Sequence, residues 1–102
     1  MPDQIDGKDS SEWMAIERTF YESGDDTKAL EALQNVVKLK PEASIAWIRM
    51  ALIHGDFGDF DKAIECLKIG IKYDPKNTIA WNFMGAAYRE LSKSYRSLGE
   101  DA

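Results

Sequence analysis

The chain has 102 residues, 44% hydrophobic and 30% charged, a composition that points to a folded soluble domain and away from disorder. Its net charge of −5 disfavours nonspecific binding to nucleic acid or to anionic membranes, which it would repel, and favours basic or apolar partners. A single cysteine, Cys66, excludes an internal disulfide and a thiolate metal cluster, so the expected compartment is cytoplasmic and no cofactor is expected.

Residues 1–9 are polar and acidic, with neither the basic nor the apolar stretch of a secretory signal, and are expected to form a disordered N-terminal arm. From Ser10 onward a period governs the chain. Trp13, Trp47 and Trp81 recur every 34 residues, and Pro41 and Pro75 keep the same period. A fixed period of this size means stacked supersecondary units. With Ser10, Ser44 and Thr78 as first residues, each suited to cap a helix, the tryptophans take the fourth place. Ile16, Met50 and Met84 take the seventh, and Phe20, His54 and Tyr88 the eleventh, which is the one-face spacing of an amphipathic helix. Gly24 and Gly58, at the fifteenth, lie in turn-forming sequence.

A second helix follows in the first two units, carried by Ala29, Leu30 and Leu33 and by Ala63, Ile64 and Leu67, and stopped by Pro41 and Pro75. Each unit is therefore a helical hairpin, and with no competing strand pattern the fold class is all-α. In the third unit Ser92 replaces the turn glycine. Either residues 94–102 form the stub of a second arm, or the helix from Thr78 continues to about Leu98. Tyr88, Leu91, Tyr95 and Leu98 make one apolar stripe and favour the continuous helix.

The sequences Trp-Met-Ala-Ile, Lys-Ala-Leu-Glu-Ala-Leu and Leu-Lys-Pro, repeated as Trp-Ile-Arg-Met-Ala, Lys-Ala-Ile-Glu-Cys-Leu and Tyr-Asp-Pro, resemble the tetratricopeptide repeat family. A third start is Trp-Asn-Phe-Met-Gly-Ala-Ala-Tyr. The resemblance implies a solenoid of antiparallel helix pairs over residues 10–102, with repeats at 10–43 and 44–77, a partial one at 78–102 and an extended C-terminal helix. One departure stands out. The eighth place is small in the family, and Ala51 and Gly85 obey, but the first unit has Glu17. Glu17 is expected on the polar outer side of a capping unit, or swung to solvent.

The resemblance also implies a concave groove lined by the first helix of each unit. Its contact places fall on Met14, Arg18 and Tyr21, on Ile45, Ile48, Arg49 and Leu52, and on Ile79, Asn82, Phe83 and Arg89. The isoleucines, Leu52 and Phe83 suit an apolar partner helix or extended peptide, with Arg18, Arg49 and Arg89 pairing its carboxylates. Packing between helices of a tightly wound stack is the plainer explanation of the same residues. The family's clamp for acidic chaperone tails would need basic and amide side chains where this chain has Met14, Arg18, Arg49, Ile79 and Phe83, so such tails are not expected to bind.

His54 and Cys66 lie on different arms of the second unit, which gives neither a metal site nor a nucleophile with its base. The expected function is a non-catalytic protein-interaction scaffold with a partner of unknown identity. The alternative is self-assembly, with Tyr88, Leu91, Tyr95 and Leu98 forming a homodimer interface.

Overall fold

Asp9, one residue ahead of the expected Ser10, caps the first helix. Its carboxylate accepts the backbone N–H of Glu12 at 2.9 Å while Glu12 reaches back to the Asp9 N–H, a reciprocal capping box that starts α1 (Ser10–Glu22). The computed structural model describes residues 3–100, with side chains as far as Arg96. After α1 come α2 (Asp26–Leu39), α3 (Ser44–Asp56), α4 (Phe60–Tyr73) and α5 (Thr78–Glu100). The caps of the later helices are also shifted by one residue. Ala43 precedes α3 with no side-chain bond, and Asn77 Oδ1 accepts the Ala80 N–H at 3.1 Å ahead of α5. A hydroxyl inside the first turn leaves the capping position to its predecessor.

The turns between arms are built alike. After α1 the N–H of Asp25 donates to Phe20 O and that of Gly24 to Tyr21 O; after α3 the same bonds run from Asp59 to His54 and from Gly58 to Gly55. This closure needs a left-handed residue after the helix, and Gly24 (φ 85°) and Gly58 (φ 81°) supply it. Asp25 and Asp59 then cap α2 and α4 through their side chains. In α5 the corresponding place is Ser92, and the helix runs through it for 23 residues, as the apolar stripe predicts.

α1 packs on α2, α3 on α4, α2 on α3 and α4 on α5, giving an elongated body of 52 × 28 × 23 Å. The core is a continuous file of small and branched side chains. Ala29, Leu33 and Val36 of α2 meet Ala46, Met50, Ala51 and Ile53 of α3, followed by Ala63, Cys66 and Leu67 of α4 and Ala80 of α5. The alanines let neighbouring helices approach closely, and the larger residues fill the space between them. Burial pushes the Cys66 thiol up to about 11, so at neutral pH it is a protonated, small apolar filler.

The tryptophan–proline period has a physical cause that periodicity alone does not reveal. The Trp47 indole N–H donates to Pro41 O at 2.7 Å, and that of Trp81 to Pro75 O, also at 2.7 Å. Each tryptophan thus ties its helix to the end of the preceding unit. Trp13 uses Ile5 O at 3.1 Å instead. Ile5 and Lys8 exchange two backbone hydrogen bonds, and Lys8 lies over the Trp13 ring at 5.4 Å. The segment expected to be a disordered arm is therefore a turn over residues 5–8, because Trp13 gives its backbone something to hold.

Candidate interaction site

The expected groove residues divide into three groups. Ile45 (59% exposed) and Ile79 (63%) project from the first turns of α3 and α5. With Ile48, Arg49, Leu52 and Asn77 they line a depression of about 280 Å³. A neighbouring depression of about 360 Å³ lies between α1 and the start of α3, with Met14 on one wall and Ile45 on the other. Ile45 is thus the ridge shared by two adjoining hollows. Arg18, Asn82 and Arg89 are exposed and line neither of them.

Two residues turn inward instead. Ile48 is buried, and its side chain sits where Gly70 of α4 leaves room; a Cβ on Gly70 would come within 2.8 Å of Ile48 Cγ1. Phe83 is half-buried over Gly55, where an added Cβ would stand 2.5 Å from the ring. Both are packing residues first, and only the edge of Ile48 reaches the depression. The cue in the sequence is the pair of glycines, at places where a neighbour can fill the missing side chain.

Arg49 and Tyr21 form a third group with a residue not assigned to the groove. Glu17, expected at the outer surface, is 1% exposed. Its Oε1 accepts from Arg49 Nε at 2.7 Å and lies 2.6 Å from Arg49 Nη2, and the guanidinium sits 5.1 Å from the Tyr21 ring centroid. The eighth place of the first unit faces the next unit's first helix, and a carboxylate there is held by a cation supplied across the joint. Two nitrogens of Arg49 are consequently already occupied, which weakens the expected role of this arginine as a receptor for partner carboxylates.

The uncovered side of the molecule lies on α5. Trp81 (52% exposed), Tyr88 (46%) and Tyr95 (61%) stand outward, and Leu91 is half-buried. The structure places Tyr88, Leu91 and Tyr95 on one side of the helix as expected, and adds Trp81, which the repeat pattern alone assigns to packing. The side chain of Leu98 lies outside the described residues. His54 is half-buried beneath the second turn, where burial lowers its pKa from the usual 6.5, partly offset by Asp59.

Paired antiparallel helices stacked through alternating small and large residues define a helical-hairpin repeat scaffold. The tetratricopeptide repeat model matches residues 20–87, and the chain belongs to that family, whose fold serves protein–protein interaction. Among solved structures, two of MamA superpose with a TM-score of 0.78. One is 23% identical over 81% of this chain and 48% of its own, the other 21% identical over 88% and 49%. A MamA mutant gives 0.76, at 19% identity over 93% of this chain and 70% of its own. The chain thus spans about half the length of the first two, and the likeness concerns the fold. No curated protein matches the sequence. Among the described residues no helix is long and apolar enough to cross a membrane.

Proposed function

We propose that the chain is a docking scaffold whose α1, α3 and α5 face takes apolar side chains of a protein partner in the two hollows divided by Ile45. One observation carries this reading. Ile45 and Ile79 hold the same repeat place and stay largely exposed, although their helices are otherwise well packed. Large apolar side chains repeated beside concave surface suit an apolar anchor better than a charged one. Since Glu17 already occupies Arg49, an acidic chaperone tail is a poor occupant, and a cytoplasmic, non-catalytic role fits the rest of the chain. The test is a double variant, Ile45→Glu with Ile79→Glu. Both side chains are exposed, so helicity by circular dichroism stays unchanged while capture of a partner by the immobilised chain is lost. Undiminished capture overturns the reading.

A second reading, self-association through α5, is supported by a different observation. Trp81 and Tyr88 of α5 are exposed, while Trp47 and His54 at the same places of α3, which has α4 packed on it, are half-buried.

A further inference from the structure

The second reading can be taken further, because α3 and α5 share a pattern and only one of them has a cover. α3 packs on α4, and at three of its places Ala51 is wholly buried and Trp47 and His54 are half-buried. The same places on α5 are Trp81, Gly85 and Tyr88. Trp81 and Tyr88 are about half exposed, and a Cβ built on Gly85 would meet nothing within 4 Å. α5 thus lacks, at these places, a neighbour of the kind that α4 gives α3, an antiparallel helix.

α5 carries the complement of this gap on its own second half. It has 23 residues against 14 for α4, and beyond Ala87 every described side chain except Leu91 is exposed. Trp81, Tyr88 and Tyr95 are spaced by seven, with Leu91 between the last two and Met84 packed into the body of its own copy, which is the spacing of a two-helix coiled-coil seam. Successive sevens drift by only ~20° around the helix, so the three aromatics form one stripe. The stripe is symmetric about Tyr88. Gly85 and Ser92 make a second row of small residues beside it, and the charged side chains Arg89, Glu90, Lys93 and Arg96 fall outside the seam. A self-complementary patch of this kind is what a two-fold interface requires.

We propose that a second copy of this chain covers α5, with the two α5 helices antiparallel and crossing at Tyr88. Trp81 of each copy then lies against Tyr95 of the other, and each overhanging helix end serves as the missing second arm of the other copy's third unit. The parallel arrangement leaves both overhangs bare of any body to rest on and sets Trp81 against itself. It does not complete the hairpin.

This inference rests on self-association, and the experiment separates the two. Light scattering of the full chain is expected to give twice the monomer mass of 11.5 kDa. Tyr88→Glu is expected to return it to the monomer with unchanged helicity, since a charge at a side chain 46% exposed in one copy can reach water. Orientation is read from a spin label on Thr78→Cys in a Cys66→Ala background. An antiparallel crossing at Tyr88 puts the two labels roughly 30 Å apart, twice ten residues at about 1.5 Å each. A parallel pair puts them about 10 Å apart. A monomer at every concentration sinks self-association and this proposal together. A dimer with the short distance, or one that survives Tyr88→Glu, leaves self-association standing and overturns the antiparallel crossing.

Discussion

α3 and the first half of α5 are written in the same pattern and live in opposite surroundings. Trp47 and Trp81 make the same indole bond to a proline carbonyl, yet Trp47 is half-buried and Trp81 is 52% exposed. Ala51 is wholly buried, and a Cβ at Gly85, the same place, would meet nothing within 4 Å. In a stack, a residue's surroundings are set by which unit comes next, not by its place within its own. Equal places therefore have unequal energetic weight, and substitutions measure the difference.

The largest effect is expected where the cover itself is removed. Leu67 of α4 is wholly buried against α3, so Leu67→Ala should cost about 3 kcal/mol or more in chemical denaturation, whereas Tyr88→Ala, read on the monomer at low concentration, should cost well under about 1. Equal losses in the monomer would mean that α5 is covered within one copy. Next comes the joint between the first two units. Arg49→Met leaves the buried Glu17 without its cation and should destabilise by ~2–3 kcal/mol, less than a fully buried pair because Arg49 keeps some access to water. Glu17→Gln should cost less, since no buried charge is left unpaired; the reverse order would show that the carboxylate escapes to solvent.

Glycine substitutions sharpen the comparison at a smaller scale. Gly85→Ala, with open space around it within one copy, should stabilise the monomer by up to about 1 kcal/mol through helix propensity. The same change at Gly70 should lose that gain or reverse it, because its Cβ collides with Ile48. The smallest effect is expected at His54. Its folded pKa is lowered by burial, so the folded state prefers the neutral ring. Its stabilising contribution is whole above the ordinary value of 6.5 and falls away as the pH drops through the lower folded value. His54→Phe, which restores the aromatic present at Phe20, should flatten that part of the stability–pH curve; an unchanged slope would assign the acid sensitivity to other groups.

The helices, the glycine turns and the uninterrupted α5 are legible in the sequence, because each depends on contacts within a few residues along the chain. The site is less legible, for a reason visible at particular residues. Periodicity tells which side of a helix a residue occupies but not what stands opposite. Ile48 and Phe83 look like groove residues until Gly70 and Gly55 are found beneath them. Glu17 looks like an exposed charge until Arg49, 32 positions away, is found beside it. The turn over residues 5–8 escapes composition altogether, since its reason to form is the single indole of Trp13. A test of the groove therefore belongs at Ile45 and Ile79 and not at Ile48 and Phe83, whose replacement would disturb packing.

The Glu17–Arg49 pair has a consequence for how such a chain can be assembled or rearranged. The place that supplies Arg49 in the second unit is Ala15 in the first and Phe83 in the third. Only the second unit can therefore follow the first without stranding a buried carboxylate. The units share one architectural plan, but this contact gives the array a syntax: the hairpin that carries Glu17 joins only one that brings an arginine to meet it.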